Sequence, residues 1–356
     1  MLNMSKTRKI YIDVLRILGA FMVLYIHCRA YHEWEKEAMS LPKRIVFMLP
    51  AMIVSSAVPL FMMISGCLLL GRCDSLKDIW EKRISKVALV ILIFTVLQCI
   101  YEIIFGGSHF TTFIYKFINL DGKYYLYWFF YWWLSFSIML FCYQQIAKVL
   151  DKEHITYILA ICLFFNTFIP IINLFLVKCG MEPLIFSRSL NLPLFVSQGF
   201  FYPFLGYYIG NRSEDDKLLN NTKLLVVIMI FCIIATMFLN FYFKINDANM
   251  PARNVFLPVI TICIFAIIKN IFSNIDIRPD TKLYKIITFF GSNAIGVYAF
   301  QVLYLSTLGP AILNFLLRFI SIRKIASFIQ FLLAFFILSF ITAVARKIPL
   351  FKKALG

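Results

Sequence analysis

Charged residues are scarce in this chain of 356 residues: they make up 15% of it, whereas 61% of the residues are hydrophobic. The mean hydropathy is +0.82. A soluble domain carries about 25% charged residues, so this scarcity excludes an ordinary water-soluble protein. It also excludes an intrinsically disordered chain, which requires low hydrophobicity. An integral membrane protein remains, and lipid contacts and membrane interfaces accommodate its 39 Phe and 18 Tyr.

The sequence also lacks the patterns that hold metals, disulfides or phosphate loops. Its nine cysteines form no CxxC pair, and most lie inside apolar runs. We therefore expect buried thiols, with no disulfide framework and no metal cofactor. His32, His109 and His154 do not cluster with these cysteines and are expected to be ordinary loop or helix-end residues. The chain contains neither a Walker-type phosphate loop nor a GxSxG hydrolase turn.

Positive charge exceeds negative charge, giving a net charge of +17. The basic residues stand in short loops between apolar runs, which indicates membrane topology and lipid-headgroup contact, with no nucleic-acid partner. With a cytoplasmic N-terminus, the inner segments hold 21 of the 35 Lys and Arg residues and the outer loops hold 12. This excess predicts that both termini are cytoplasmic.

Ten apolar runs are long enough, or nearly so, to cross a bilayer. They predict an all-α, polytopic membrane helix bundle that forms one integral-membrane domain over residues 1–356. No cleavage site made of small residues follows the first run, so we interpret this run as a membrane span that is retained and not as a signal peptide. The second is long and contains Pro50 and Pro59, so we expect it either to be kinked or to start as an interfacial segment. The ninth is expected to be interrupted near Gly291 and Gly296. The runs cover residues 11–31, 45–70, 87–106, 124–146, 155–176, 193–210, 223–243, 254–272, 285–308 and 325–345.

The first span contains Asp13, Arg16 and His27, and an ionisable residue in a membrane span carries an energetic cost of about 2.5–3.5 kcal/mol. Arg16 and His27 are eleven residues apart, which places them on one helix face about 16 Å apart along the axis. Asp13 precedes Arg16 by one turn and shares that face. One interpretation is a snorkelling arginine and a histidine at the outer interface. The other is a polar track in which Arg16 pairs with an anionic headgroup and His27 serves as a general base.

The first-span pattern resembles that of the membrane acyltransferase-3 family, and five further stretches resemble its motifs in the same order. The opening KIYIDVLR is most similar to the branch of surface-polysaccharide O-acetyltransferases, which includes the enterobacterial common antigen O-acetyltransferase. The five stretches are PLFMMISGCLL at 59–69, KRISK at 82–86, YLYWF at 125–129, FLGYYIG at 204–210 and GSNAIGVY at 291–298.

The resemblance implies acyl transfer, most often of acetyl, from cytoplasmic acyl-CoA to a hydroxyl of a cell-surface or lipid-linked saccharide in a bacterial cytoplasmic membrane. It assigns catalysis to His27 and Arg16, with Asp13 beside them. His27 would deprotonate the acceptor hydroxyl or carry the acyl group transiently. Arg16 with Arg83 and Lys86 would hold the phosphates of acetyl-CoA as co-substrate.

Other residues are candidates for lining the donor path or binding the acceptor. Ser65 and Gly66 could line the acyl channel or serve as ordinary helix-packing residues. Glu102 and Trp128 are candidate saccharide contacts, although a headgroup-level carboxylate and an interfacial aromatic belt would look the same. Gln301 stands where the family commonly has a histidine, so it can bind substrate but cannot titrate.

The sequence thus favours an acyl-CoA-dependent O-acyltransferase. The alternative is a membrane transporter or flippase of an acylated glycan or another solute, which would also have many spans and buried charges. A non-catalytic member of the same family is a further alternative, and Gln301 is the residue that favours it.

Overall fold

The computed structural model describes residues 8–28, 40–107, 110–119, 122–181, 198–243, 255–275 and 277–356. All regular structure in these ranges is helical, which confirms the predicted all-α bundle. The α-helices are α1 Ile10–His27, α2 Leu41–Val54, α3 Ala57–Leu69, α4 Leu76–Ile79, α5 Ser85–Gly106, α6 Phe110–Asn119, α7 Trp128–Val149, α8 Lys152–Lys178, α9 Gln198–Asn211, α10 Lys217–Asn220, α11 Thr222–Tyr242, α12 Leu257–Ser273, α13 Lys282–Ser306, α14 Leu308–Leu316, α15 Arg323–Ala345 and α16 Pro349–Leu355.

Eight helical stretches in the described part are long and apolar enough to cross a membrane. Each of them corresponds to one of the ten predicted spans. The other two predicted spans are shorter helices: α12 has 17 residues and α9 has 14. The beginning of the predicted sixth span, at 193–197, lies outside the described residues. The spans are 10–27, 48–69, 76–106, 124–149, 152–178, 222–242, 282–306 and 323–345.

The second and ninth predicted spans have different outcomes. The second breaks at a turn formed by Ser55 and Ser56, between α2 and α3, which confirms the expected kink. The ninth was expected to be interrupted at its glycines, and this expectation is wrong, because α13 is continuous from Lys282 to Ser306. These glycines lie at helix contacts. A Cβ at Gly291 would approach the Cα of Asp13 to 2.9 Å, so the small residue permits the approach.

A π-helical turn over Trp80–Ile84 lies between α4 and α5, just before the third predicted span at 87–106. Ser75 caps the start of α4, since its hydroxyl accepts a hydrogen bond from the backbone N–H of Asp78. Single π turns inside α-helices often mark functional sites. Here the turn contains Arg83, a predicted phosphate ligand.

Two compact units divide the chain. The first comprises residues 1–22, 31–71 and 148–292. At its centre, α3 packs directly on α9: a Cβ at Gly66 would overlap the backbone of Pro203, and one at Gly206 would overlap that of Met63. Helices approach this closely only where small residues face each other. Two stretches that resemble family motifs, 59–69 and 204–210, therefore form one helix contact.

The second unit comprises residues 23–30, 72–147 and 293–356. Its core is aromatic. Tyr298 of α13 meets Phe130 of α7 edge-on at 5.0 Å between ring centroids, and its hydroxyl donates to the carbonyl of Leu126 at 2.7 Å. Tyr124 and Tyr127 are almost fully buried. These two tyrosines therefore belong to the core of the unit. The prediction of a single domain stays a prediction.

Candidate active site

His27, the last residue of α1, is paired with Gln301 of α13 inside the second unit. The imidazole Nδ1 lies 3.0 Å from the carboxamide Oε1. Because a carboxamide oxygen only accepts hydrogen bonds, Nδ1 carries the proton and donates it to Gln301. The lone pair is then left on Nε2, which is the form that a general base requires.

Gln301 was predicted as a substrate ligand, and the structure places it on the histidine. Its side chain is fully buried. One end of the carboxamide holds His27, while the other end, Nε2, has no hydrogen-bond partner in the described part of the chain. A buried donor without a partner is energetically costly, so the Nε2 atom is suited to receive an oxygen atom of a ligand.

Asp13 joins two arginines in the first unit. Its carboxylate is 1% exposed and accepts two hydrogen bonds from Arg8, one of 3.0 Å from Nη2 to Oδ1 and one from Nε to Oδ2. Arg16 Nη1 donates to Oδ1 at 3.3 Å. The hydrogen bonds from Arg8 to Asp13 are the main reason why the pKa of Arg8 is raised above its ordinary value. The cluster carries a net positive charge, which favours an anionic ligand.

In the structure Asp13 is the counter-ion of Arg8 and Arg16, and its predicted part in catalysis stays a prediction. The carboxylate lies in the first turn of α1, where the helix dipole also stabilises negative charge. Arg8 was missed by the sequence interpretation. It precedes the first apolar run and gives no signal apart from being one of several basic residues in the tail.

A second polar cluster surrounds Asp74 in the second unit. Arg83 Nη2 and Arg72 Nε lie 3.6 and 3.3 Å from its two carboxylate oxygens. Gln144 of α7 also contacts this residue, because its Oε1 accepts a hydrogen bond from the backbone N–H of Asp74 at 3.1 Å. The Nε atom of Arg83 is buried and has no partner in the described part of the chain. Lys86, the other predicted phosphate ligand, donates to the carbonyl of Gly356.

The predicted channel residues have local partners in the structure. Ser65 donates its hydroxyl to the carbonyl of Phe61, one turn earlier, at 2.9 Å. Gly66 faces the backbone of Pro203. These contacts account for both residues by helix packing within the first unit, and a role in binding the acyl donor stays a prediction.

Glu102, a predicted saccharide contact, belongs to a small hydrogen-bonded cluster at the end of α5. Its Oε1 accepts from Gln98 Nε2 at 3.1 Å, and its Oε2 lies 3.3 Å from Lys116 Nζ of α6. Trp128, the other predicted contact, is half-buried at the start of α7. Sequence reasoning missed Gln98 and Lys116, because an amide in an apolar run and a loop lysine are common.

The remaining histidines are set apart from these clusters. His154 is exposed at the start of α8, where its Nδ1 contacts Asp151 at 2.8 Å. His32 and His109 lie outside the described residues. Among the residues that the structure does describe, no group of three or more His, Cys, Asp or Glu side chains is arranged to hold a metal ion.

These features define a multi-pass helical membrane protein that has a histidine–glutamine pair and separate cationic clusters. The chain matches the family of acyltransferase domains over residues 9–345 and belongs to the acyltransferase-3 family. Acyl transfer from an acyl donor to an acceptor is its general activity. Searches of curated proteins and of solved structures gave no significant match.

Proposed function

We propose that this protein is an O-acetyltransferase of a bacterial cytoplasmic membrane. It moves an acetyl group from cytoplasmic acetyl-CoA to a hydroxyl of a cell-surface or lipid-linked saccharide, and both of its termini are cytoplasmic. The acetyl group and the saccharide rest on the resemblance of the opening residues to the polysaccharide-modifying branch. The orientation rests on the excess of Lys and Arg in the inner segments.

The His27–Gln301 pair is the observation that carries the proposal. With Nδ1 bound to Gln301 Oε1 at 3.0 Å, Nε2 of His27 takes the proton of the acceptor hydroxyl as its oxygen attacks the thioester carbonyl carbon. The new C–O ester bond forms, the C–S bond breaks, and the leaving thiolate takes the proton from the imidazolium. The products are the acetyl ester and free CoA. Gln301 acts as a positioning residue that fixes the imidazole tautomer.

The donor phosphates are assigned to the basic end of the second unit. Arg83 precedes Phe94 by eleven residues along the same helical stretch, a distance of about 16 Å. Phe94 in turn contacts Phe300, the neighbour of Gln301, at 4.8 Å between ring centroids. A phosphate bound at Arg83 and Lys86 is thus separated from the histidine by about the length of a pantetheine arm.

An aromatic layer lies between these two ends of the second unit. Phe351 of α16 contacts Phe94 at 6.2 Å and Phe300 at 6.0 Å between ring centroids. Delivery of the thioester to His27 through this unit therefore requires the three rings to move apart. Lys86 must also exchange its hydrogen bond with Gly356 for one with a phosphate.

The proposal is tested with purified protein in lipid nanodiscs, by measuring acetyl-CoA binding and the release of free CoA by chromatography. His27→Ala should reduce release at least a hundredfold while binding persists, because general-base catalysis contributes about 10²–10⁴. His154→Ala is the matched control, since that histidine is exposed at the start of α8, and it should behave as the wild type. Gln301→Leu should lower kcat with an unchanged KM for acetyl-CoA, and Gln301→Glu, which keeps an acceptor, should restore part of the rate.

Three results would contradict the proposal. Full CoA release by His27→Ala would remove the histidine from the chemistry. A trapped acetyl-histidine in the wild type would replace direct attack with a covalent acyl carrier. A protein that does not bind acetyl-CoA but moves a solute across vesicle membranes would be a transporter.

A further inference from the structure

Gln98 is a buried polar residue that the proposed mechanism does not use. It lies in the middle of α5 with a side chain that is fully buried. Its Nε2 donates to Glu102 Oε1 at 3.1 Å, while its Oε1 has no hydrogen-bond partner in the described part of the chain. Buried amide oxygens are seldom left without a hydrogen-bond donor, so the Oε1 atom of Gln98 is suited to accept a hydrogen bond from a ligand.

The orientation of the Gln98 amide is fixed by its neighbours. The carboxylate of Glu102 accepts hydrogen bonds, and its Oε2 lies 3.3 Å from Lys116 Nζ. Gln98 must therefore turn its NH₂ group towards Glu102 and its oxygen away from it. The cation and the carboxylate neutralise each other, so the cluster favours a neutral hydrogen-bond donor as its ligand.

Gln98 lies on the face of α5 that packs against α13. Phe94, Gln98 and Tyr101 are spaced at i, i+4 and i+7, which places them on one helix face. Phe94 contacts the ring of Phe300 at 4.8 Å, and the hydroxyl of Tyr101 donates to the carbonyl of Ser306 at 2.6 Å. Residue numbers increase along both helices from the first contact to the second, so the two helices run parallel.

These contacts place Gln98 and Gln301 at similar positions along the axes of the two helices. Gln98 is four residues beyond Phe94, and Gln301 is one residue beyond Phe300, so the two amides differ by about 5 Å along the helix axes. One amide presents a buried acceptor without a partner, and the other presents a buried donor without a partner. The aromatic layer of Phe94, Phe300 and Phe351 lies towards the beginnings of both helices.

We propose that Gln98 and Gln301 bind one hydroxyl of a vicinal diol, whose adjacent hydroxyl is the one that receives the acyl group. The bound hydroxyl accepts a hydrogen bond from Gln301 Nε2 and donates one to Gln98 Oε1, which satisfies both buried amides. The adjacent hydroxyl is held beside His27, because Gln301 contacts that ring. This inference rests on the proposed function and narrows its acceptor to vicinal diols, such as those of pyranose sugars.

The test uses small alcohols as acceptors with the full-length protein in nanodiscs and acetyl-CoA as donor. Ester formation from trans-cyclohexane-1,2-diol is compared with that from trans-cyclohexane-1,4-diol and cyclohexanol by mass spectrometry. The wild type should prefer the 1,2-diol about tenfold or more in kcat/KM, because its second hydroxyl makes two hydrogen bonds, each of which contributes severalfold. Gln98→Leu removes one of these two hydrogen bonds and should lower the ratio of the 1,2-diol to cyclohexanol severalfold. Gln145→Leu, at an exposed position of α7, should keep the wild-type ratio.

Each remaining outcome counts against one idea only. Equal rates for the three alcohols in the wild type, or a ratio unchanged by Gln98→Leu, would overturn the diol site and leave the acyltransferase in place. A wild type that releases no CoA and esterifies no alcohol would refute the proposed function instead. The comparison of the alcohols needs only the wild type, so it decides the question even if Gln98→Leu does not fold.

Discussion

Replacing Asp13 by Asn tests whether this residue positions the arginines or takes part in the reaction. The substitution keeps the shape but removes the charge that binds Arg8 and Arg16. Breaking a buried ion pair costs about 3–5 kcal/mol. The two arginine side chains are 41% and 28% exposed and retain part of their hydration, so we expect the lower end, about 3 kcal/mol.

At about 2–4 °C per kcal/mol, this loss corresponds to a decrease in Tm of about 6–12 °C. The measurement is tryptophan fluorescence during heating in nanodiscs, combined with acetyl-transfer kinetics. The KM for acetyl-CoA should rise, because Arg16 loses the partner that fixes its guanidinium, while kcat changes little. Asp78→Asn is the control, since its carboxylate is 39% exposed in a surface pair with Lys82, and its Tm should match the wild type.

Two outcomes would refute this reasoning. An unchanged Tm in Asp13→Asn would mean that the carboxylate contributes nothing to stability. A collapse of kcat at unchanged KM would place Asp13 at the reacting atoms, as the sequence alone had assigned it.

Arg83→Ala should raise the Kd for CoA about tenfold or more in a calorimetric titration, because its guanidinium is assigned to a phosphate. Lys82→Ala is the control and should leave the Kd unchanged. Equal effects of the two variants would mean that the basic residues attract CoA only by nonspecific electrostatics. Gly66→Leu should abolish the folded, monodisperse protein in size-exclusion chromatography, since its side chain would occupy the backbone of Pro203; normal expression and elution would contradict that packing. Asp151→Ala should speed hydrogen exchange in the first turn of α8. Asp151 caps α8, because its Oδ1 accepts the backbone N–H of His154 at 2.9 Å. The hydrogen bonds from His154 lower the pKa of Asp151, so the cap persists at neutral pH and is lost as the pH falls through that lowered value. A wild-type protection factor, corrected for the intrinsic pH dependence of exchange, that does not fall at acidic pH would contradict this.

The helical architecture was predictable because a lipid environment leaves little choice. In a bilayer, every backbone polar group must be satisfied within its own segment, so a long apolar run becomes a helix. The break between α2 and α3 also followed from local chemistry, with Pro50 and Pro59 on either side of it. The continuity of α13 did not, because glycine codes equally for a bend and for a close helix contact, and only the packing partner decides.

The candidate site divides along the same line. The sequence by itself determined the polar residues of the first span, because an arginine and a histidine in an apolar run are costly wherever they point. Which groups they meet was decided by tertiary structure. Gln301 lies 274 residues from His27 in the sequence. The proposed binding role of Gln98 depends on its hydrogen bond to Glu102 and on the packing of α5 against α13. Hydrogen-bond partners depend on distances of about 3 Å between separate helices, and no local pattern in the chain encodes those distances.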